Sequence, residues 1–318
     1  MKPVRRAVID VGTNSIKLLV ADVAGPEVQP VWEGSIQTRL GQGFYETQRL
    51  QPGPIAQTAE AVAVYAETAL RHDATALRVI ATSAARDAVN PEDLLKAIKA
   101  SSGLPVDIIS GEQEAEWAFR GVTTDPSYAR RPLLLLDVGG GSTEFILGQG
   151  GQKHFAQSFP LGTVRLLEKI PHSDPPTAHE LAECRAWLKD FLQVTVRPQL
   201  EPALKRETKA GTVELVGTGG TTGILARMEG QLESFDREQI EQARLSQERV
   251  QWHVNHLWCL PLAQRQQIIG LPKKRADVIL TGVVIYEAVM AEFGFNELLV
   301  STRGLRYAAL MDGVETRS

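Results

Sequence analysis

Two short segments of this chain combine an aspartate, glycines and hydroxyl or amide side chains in the same order. Asp10 opens the segment Asp-Val-Gly-Thr-Asn-Ser, and Asp137 opens Asp-Val-Gly-Gly-Gly-Ser-Thr, so the two align without a gap. Glycine has no Cβ, and it therefore lets backbone N–H groups converge on an anion. The aspartate before each turn stands where it can hold a cation against that anion. The pair predicts a duplicated strand–turn–strand unit, with phosphate held in the cleft between two related lobes.

A third glycine-rich segment, Gly217 to Thr222, follows an apolar run and precedes a predicted helix. The N-terminus of a helix adds its dipole and its unpaired N–H groups to the binding of an anion. One such turn alone is more often an ordinary β-turn without a ligand, but three turns, each after an apolar strand, favour phosphate binding. No Gly-Lys-Ser/Thr follows, so these are not P-loops, and none has the setting of a dinucleotide-binding G-x-G-x-x-G.

Two further positions carry charge near predicted strand ends. Glu112 and Glu114 lie in the first turn of a predicted helix, where a carboxylate also simply complements the helix dipole. The functional interpretation needs a glutamate within reach of a water that is poised on bound phosphate. Arg86 follows another strand, at the end where α/β proteins place ligands. It can clamp a phosphate with two N–H groups, or it can pair with a nearby aspartate.

Length and composition favour a two-domain globular protein. A chain of 318 residues is longer than a single hydrophobic core usually serves. Its 43% apolar and 23% charged residues are typical of globular proteins. No apolar run approaches the roughly 20 residues that span a bilayer, and no signal peptide is evident, so no membrane partner is expected. Cys184 and Cys259 lack CxxC spacing, which favours a reduced, cytoplasmic setting. The net charge of −4 argues against a nucleic-acid partner, but not against a polyanionic substrate.

The elements that must position these segments alternate between strands and helices, which predicts largely parallel sheets covered by helices. We predict domains over 1–125 and 126–318, with a polar crossing at 123–132 and a final helix, about 304–318, that can pack back on the first lobe. The first lobe is predicted to have strands over 4–10, 16–22, 29–37, 77–81 and 106–109, with helices from 54, over 90–103 and over 112–121. The second lobe restarts at 133 and is predicted to have strands over 213–216 and 298–301, with helices over 178–192, 223–231, 247–258, 276–293 and 306–313.

The chain resembles the exopolyphosphatase and guanosine pentaphosphate phosphohydrolase (Ppx/GppA) family, a branch of the actin-like, sugar-kinase and heat-shock-70 ATPase superfamily. The resemblance covers nearly the whole chain and rests on the ordered segments AVIDVGTNSIKLLV, TRLGQG, ATSAARDAVN, IISGEQEA, LLLLDVGGGSTEFILG, PLGTVRL, VGTGGTTGIL, LPKKRADVILTG and STRGLR. It implies an α/β fold of two actin-like, ribonuclease H-like lobes, whose mixed sheets are flanked by helices. It also implies an active site in the interdomain cleft and the short, two-domain form of the family.

The resemblance implies a Mg²⁺-dependent hydrolase, with Mn²⁺ as an alternative ion, that removes terminal phosphate from inorganic polyphosphate or guanosine pentaphosphate. Glu114 is similar to the residue that activates the attacking water, and Arg86 falls where the family keeps an arginine facing the cleft. Asp137 is similar to the metal-associated carboxylate, with Glu144 nearby and Asp10 on the opposite lobe. The phosphate-binding residues then comprise Asn14, Ser15, Gly139, Gly140, Gly141, Ser142, Thr143, Gly219, Gly220 and Thr221.

These observations favour a Mg²⁺-dependent exopolyphosphatase, with a guanosine pentaphosphate 5′-phosphohydrolase as the main enzymatic alternative. A non-catalytic regulator that binds (p)ppGpp or another nucleotide is a second alternative, but a pure binder has no need of Glu114 and Asp137. A small-molecule kinase is a third, although the adenosine-binding signature of the kinase branches is not evident. A homodimer is compatible with the family.

Two departures from the family pattern bear on substrate preference. Thr302 stands where many relatives carry Asp, and glycine is unusually dense over 217–220.

Overall fold

The computed structural model describes residues 2–312, which form two compact units. One unit comprises the residues up to Thr124 together with those from Gly304 onward, and the other is Asp125–Arg303. Each unit contains one mixed sheet with helices packed against it.

The first unit is built on a five-stranded sheet. Its strands are β1 Val4–Val11, β2 Ser15–Ala24, β3 Glu27–Gln37, β4 Ala76–Ala81 and β5 Asp107–Ile108. They lie in the order β3-β2-β1-β4-β5, with antiparallel pairing among β1, β2 and β3 and parallel pairing from β1 through β4 to β5. Ala7 and Ile9 of β1 pack into one apolar cluster and Val8 into another, because successive side chains of a strand point to opposite faces. The central strand is therefore buried on both sides.

Four helices of the first unit follow in the same part of the chain. They are α1 Pro52–Arg71, α2 Ser83–Asp87, α3 Pro91–Ser102 and α4 Gly111–Val122. On α1 the residues Ile55, Ala59 and Val62 are buried, at the spacing that places apolar side chains on one helical stripe. This stripe joins the cluster that contains Ile9.

The second unit repeats the strand order of the first. Its strands are β6 Leu133–Val138, β7 Thr143–Gln149, β8 Gln152–Phe159, β9 Glu214–Thr218, β10 Arg244–Ser246 and β11 Glu297–Val300. Reading β8-β7-β6-β9-β11 gives the same sequence of antiparallel and parallel pairs as β3-β2-β1-β4-β5, and β10 adds an antiparallel edge strand. The duplicated unit predicted from the two aspartate turns is therefore confirmed.

Most of the helices belong to the second unit. They are α5 Thr163–Lys169, α6 Ala178–Phe191, α7 Arg197–Ala210, α8 Gly219–Glu229, α9 Arg237–Gln242, α10 Gln247–Trp258, α11 Leu262–Arg265 and α12 Ile279–Phe293. A π-helical segment, Leu192–Val196, joins α6 to α7, and a 3₁₀ turn, Lys273–Arg275, lies before α12. The last helix, α13 Leu305–Met311, belongs to the first unit, where Leu305 packs with Val8.

Several boundaries differ from the sequence-based prediction. The helix predicted over 223–231 begins four residues earlier, at Gly219, so the third glycine-rich segment is the first turn of α8. The helix predicted to end at 192 continues through the π-helical segment, which lies just before Pro198. Proline has no N–H to bond to the preceding turn, so it disturbs the regular α pattern at that point. Strands β8 and β10 and helices α2, α5, α7, α9 and α11 were not predicted. The part of the predicted C-terminal range beyond 312 lies outside the described residues.

Candidate functional site

The first aspartate turn joins β1 to β2 and is held tight by backbone hydrogen bonds. The N–H of Gly12 donates to the carbonyl of Ser15 at 3.1 Å, and a Cβ on Gly12 would lie 3.0 Å from that oxygen. The carbonyl of Asn14 accepts from the N–H groups of Thr38 and Arg39 at 3.3 and 3.0 Å. The segment after β3 thus fixes the backbone of the turn and leaves the Asn14 side chain for other contacts.

Thr13 anchors the same turn on two sides. Its carbonyl accepts from the N–H of Gly41 at 2.7 Å, and its Oγ1 accepts from the N–H of Ala84, in α2, at 3.3 Å. A Cβ on Gly41 would lie only 2.3 Å from the Thr13 Cγ2, so glycine permits this close approach without a shift of the Thr13 side chain.

Four polar side chains beside this turn carry a buried atom without a hydrogen-bond partner in residues 2–312. They are Asp10 (Oδ1), Asn14 (Nδ2), Gln37 (Oε1) and Ser83 (Oγ). Buried polar groups in proteins are almost always paired. Their concentration at one turn indicates that a polar ligand or ordered water binds there.

Asp10 also differs from an ordinary surface carboxylate. It is 6% exposed, and burial raises the pKa of its carboxyl, while the positive charges of Lys17 and Arg306 act in the opposite direction. Lys17 is its direct neighbour across the β1–β2 pair. The first unit therefore supplies a counter-charge for its own aspartate.

The two residues predicted to be catalytic in the first unit contact each other. Glu114 lies in the first turn of α4, where Ser110 caps the helix by accepting from the N–H of Gln113 at 3.1 Å. The Glu114 side chain is buried, and its Oε2 accepts from Nη1 of Arg86 at 2.8 Å. The same Nη1 donates to the carbonyl of Ile109 at 3.2 Å. Arg86 thus orients the Glu114 carboxylate from the end of α2.

The second aspartate turn has the same backbone closure as the first, in the second unit. The N–H of Gly139 donates to the carbonyl of Ser142 at 3.0 Å. The N–H groups of Thr163 and Val164, at the start of α5, donate to the carbonyls of Gly139 and Gly140 at 2.9 and 2.8 Å. The carbonyl side of this turn is therefore covered by a helix.

Two residues at the start of α5 hold this helix close to the second aspartate turn. A Cβ on Gly162 would lie 2.5 Å from both the carbonyl carbon and the oxygen of Gly140, so only glycine fits. The Nε of Arg165 donates to the carbonyl of Gly141 at 2.7 Å. Backbone N–H groups hold both turns, and each has one side-chain anchor: the Arg165 guanidinium in the second turn and the Thr13 hydroxyl in the first.

Two carboxylates face each other beside the second turn. Asp137 pairs with Glu144 across β6 and β7, and Glu144 pairs with Ser158 across β7 and β8. Directly opposite residues of antiparallel strands project their side chains from the same face, and like charges in that arrangement destabilise a sheet. Ser158 Oγ donates to Glu144 Oε1 at 2.7 Å. A buried glutamate beside an aspartate fits a divalent cation.

The third glycine-rich segment lies against the same aspartate. Gly219 has φ +86°, and a Cβ there would lie 2.3 Å from Asp137 Oδ1. Gly219 thus makes room for the carboxylate at the start of α8. The described residues contain no cluster of three or more His, Cys, Asp or Glu side chains able to hold a metal. Two carboxylates nevertheless suit Mg²⁺, which takes one or two from the protein and fills its shell with water and substrate oxygens.

Two of the predicted phosphate-binding hydroxyls donate their protons to the backbone instead. Thr221 Oγ1 donates to the carbonyl of Val138 at 3.2 Å, and Thr143 Oγ1 donates to the carbonyl of Leu161. An anion needs hydrogen-bond donors, so these threonines support the fold of the two turns. Any contact of theirs with phosphate would come from the backbone N–H.

The residues that approach the turns from elsewhere in the chain were not predicted from the sequence. A signal was present, because Leu40-Gly41 follows the third strand of the first unit and Leu161-Gly162 follows the third strand of the second. The missed residues are Gln37, Gly41, Ser83, Gly162, Thr163 and Arg165. Among residues 2–312, no helix combines the length and apolar character needed to cross a membrane.

Comparison with known proteins gives consistent relatives. The profile of the Ppx/GppA phosphatase family matches residues 19–316. The chain is 35% identical to "Exopolyphosphatase 2" of Mycobacterium tuberculosis over 325 residues, which cover 98% of this chain and 97% of that protein. It is 29% identical to "Bifunctional 3-dehydroquinate synthase/phosphatase" of Fusobacterium nucleatum, and the match covers 98% of this chain and 47% of that protein.

Solved structures share the fold along the whole chain. An exopolyphosphatase from Cytophaga hutchinsonii matches with a TM-score of 0.84 at 26% identity, covering 99% of this chain and all of that one. The Aquifex aeolicus PPX-GPPA enzyme matches with a TM-score of 0.76 at 28% identity, covering 98% of this chain and all of that one. The predicted α/β fold of two lobes, each a mixed sheet flanked by helices, is confirmed.

Proposed function

The chain belongs to the Ppx/GppA phosphatase family, and from that premise we propose that it is an exopolyphosphatase, which hydrolyses the terminal phosphate from inorganic polyphosphate. The family resemblance inferred from the sequence is confirmed, and the chain is a hydrolase of phosphoanhydride bonds. Polyphosphate as the substrate is supported by the Mycobacterium tuberculosis relative, which is named for that activity and aligns over almost its whole length.

In the proposed reaction, the oxygen of water attacks the terminal phosphorus, and the P–O bond to the next phosphate breaks. Glu114 accepts a proton from the water as the new bond forms, and orthophosphate and the shortened polyphosphate leave. The observation that carries this assignment is the ion pair at 2.8 Å, because Arg86 holds the buried Glu114 carboxylate in one orientation while Glu112 in the same helical turn is exposed. Phosphoryl transfer needs positioned groups and charge stabilisation, without a covalent nucleophile.

We assign Mg²⁺ to the facing carboxylates Asp137 and Glu144 of the second unit. When bound, the ion would offset the negative charge that develops on phosphate oxygens during the transfer. The glycines of the second turn allow phosphate to approach the backbone N–H groups, and α5 holds the carbonyls of that turn away from the anion. Asp10, the third predicted metal ligand, faces Lys17 and not a second carboxylate.

The role of Glu114 is tested by the substitution Glu114→Gln, which keeps the shape of the side chain and removes the base. A general base typically contributes about 10²–10⁴-fold to a rate, so we expect kcat to fall at least 100-fold while KM changes only a few-fold. The matched control is Glu112→Gln, since Glu112 lies in the same helical turn and is exposed. Turnover of Glu114→Gln within twofold of the wild type would remove this residue from the mechanism.

The substrate is tested by measuring phosphate release from long-chain polyphosphate, tripolyphosphate and guanosine pentaphosphate, each with Mg²⁺ and with a chelator. We expect release from polyphosphate to dominate and to stop on chelation. Dominant release from guanosine pentaphosphate would assign the nucleotide activity instead. Binding of a nucleotide without release from any substrate would indicate a regulator.

A further inference from the structure

The side chain of Asn14 is held by a second amide, at the end of β3. Gln37 Nε2 donates to Asn14 Oδ1 at 3.1 Å. An amide carries its acceptor oxygen and its NH₂ group at opposite corners, so a contact at Oδ1 directs Nδ2 elsewhere. Asn14 is 4% exposed, yet its Nδ2 meets no acceptor in the described part of the chain. The contact with Gln37 therefore leaves a buried donor.

Ser83 provides a second buried donor, a hydroxyl, beside the same turn. The N–H of Thr82 donates to the carbonyl of Val11 at 3.2 Å, and the N–H of Ala84 donates to Thr13 Oγ1 at 3.3 Å. Ser83 lies between these two anchored residues, so its position relative to the turn is fixed. It is 3% exposed, and its Oγ has no partner between residues 2 and 312.

We propose that Asn14 Nδ2 and Ser83 Oγ together donate hydrogen bonds to an oxygen of a bound phosphate group, and that Gln37 is the positioning residue that keeps the Asn14 amide in its donor orientation. That the phosphate belongs to polyphosphate rests on the proposed function. Two buried donors without a partner beside one turn suit phosphate, whose oxygens only accept in their ionised form. An ordered water that satisfies the same atoms is the competing occupant.

The hydrogen bond between the two amides is kept only if both amide groups rotate by half a turn together. If both turn, Asn14 Nδ2 donates to Gln37 and Asn14 Oδ1 faces the phosphate, which an anion disfavours. Gln37→Glu enforces this wrong orientation, since a carboxylate only accepts hydrogen bonds. Gln37→Met removes the contact without adding charge. These two substitutions separate the orientation of Asn14 from simple electrostatic repulsion.

The test is calorimetric binding of imidodiphosphate, a non-hydrolysable pyrophosphate analogue, to the full chain with Mg²⁺. One hydrogen bond to a charged group corresponds to about tenfold or more in affinity. We expect Ser83→Ala and Gln37→Met each to raise Kd about tenfold, and Gln37→Glu to raise it further. The matched controls are Ser35→Ala and Gln29→Met, at exposed positions of β3, and they should leave Kd unchanged.

A double-mutant cycle isolates the positioning role. If Gln37 acts through the Asn14 amide, Gln37→Met should have no further effect on Kd in an Asn14→Ala background. Ser83→Ala should still raise Kd in that background, because its hydroxyl binds the phosphate independently of Asn14. Thermal midpoints should be unchanged in Ser83→Ala, because its hydroxyl has no protein partner to lose. A merely structural role of Gln37 predicts full additivity with Asn14→Ala.

Unchanged Kd in both Ser83→Ala and Gln37→Met would overturn the proposal and indicate an ordered water at this turn. Full additivity of Gln37→Met with Asn14→Ala would overturn the positioning role. Polyphosphate turnover with unchanged binding in the variants would leave the proposed function intact and remove this inference. Tight imidodiphosphate binding with the expected double-mutant cycle, but no phosphate release from polyphosphate, would support this inference and remove the proposed function.

Discussion

The two units place different partners beside the same strand-end aspartate. In the first unit Asp10 faces Lys17 across β1 and β2, and in the second unit Asp137 faces Glu144 across β6 and β7. The four residues occupy equivalent positions in the gapless alignment of the two motifs. An aspartate–lysine pair neutralises its own charge, whereas two facing carboxylates repel each other in the absence of a cation.

Under the proposed function, this difference fits a division of tasks between the two duplicated units. The second unit offers a pair of carboxylates that suits Mg²⁺, with Gly219 making room for Asp137. The first unit offers side-chain donors, such as the Asn14 amide, and the buried carboxylate of Glu114, the proposed base, with its arginine. A motif search that treats the two aspartates alike would give both the same role.

The strongest test of this division compares the same substitution in the two units. We expect Asp137→Asn to lower phosphate release at least 100-fold and to raise the Mg²⁺ concentration needed for half-maximal activity, because one of the two carboxylates that we propose to bind Mg²⁺ loses its charge. Asp10→Asn should lower activity less than tenfold and leave the Mg²⁺ titration unchanged, since Lys17 already compensates this aspartate. A Mg²⁺ titration shifted equally by both substitutions would show that the two aspartates share the ion.

The next test compares the two glycines that approach the turns. A Cβ on Gly162 would clash with the backbone of Gly140 at 2.5 Å, whereas a Cβ on Gly41 would clash with the Thr13 Cγ2 at 2.3 Å and lie at an ordinary 3.4 Å from the Thr13 carbonyl oxygen. Overpacking typically costs about 1–3 kcal/mol. We expect Gly162→Ala to lower the free energy of unfolding by about 3 kcal/mol, and Gly41→Ala by less, measured by denaturant titration.

The rescue of these variants distinguishes side-chain from backbone crowding. Thr13→Ser removes the methyl group that a Cβ on Gly41 would strike, so the double variant Gly41→Ala with Thr13→Ser should recover most of the lost stability. The same Thr13→Ser substitution should not help Gly162→Ala, whose obstacle is backbone in the second unit. Equal recovery of both glycine variants would contradict the contacts described for the two turns.

The parts of the site that depend on neighbouring residues in the chain were predictable from the sequence. The strand–turn–strand units follow from apolar runs that end in Asp-Val-Gly, and the position of Glu114 follows from a helix start after Ser110. These signals are local, because turn and cap chemistry act over a few residues. The strand order repeated in the two sheets then follows from the duplication.

The contacts that complete the turns were not predictable, because they join distant parts of the chain. Gln37 lies 23 residues from Asn14, and an Asn–Gln contact leaves no pattern in the intervening sequence. Gly162 was missed for the same reason, since the need for glycine comes from the backbone of Gly140 and not from its own turn. The start of α8 at Gly219 was misplaced because the glycine-rich residues 217–222 were interpreted as a turn that precedes the helix.

The smallest expected effect concerns the pH dependence of stability, and it uses the lysine that distinguishes the first unit. Burial raises the pKa of Asp10 above its ordinary value of 3.8, so the folded state holds this proton more tightly than the unfolded chain does. The protonated Asp10 carboxyl contributes its full stabilisation when the pH lies below the ordinary pKa of the unfolded chain. This stabilisation is lost as the pH rises through the raised pKa of the folded state. Asp10→Asn should therefore flatten the fall in unfolding free energy with rising pH.

Lys17→Met should make that fall steeper, because the positive charge of Lys17 lowers the pKa of Asp10 and so limits the effect of burial. Asp22 provides a control of opposite sign in the same pair of strands: a hydrogen bond from Arg5 lowers the pKa of its carboxyl, so its contribution is lost as pH falls. The measurement is the unfolding free energy from denaturant titrations between about pH 4 and 7, taken as the difference between the wild type and each variant. A Lys17→Met curve parallel to that of the wild type would mean that Lys17 does not compensate Asp10, and the contrast between the two units would then rest on Glu144 alone.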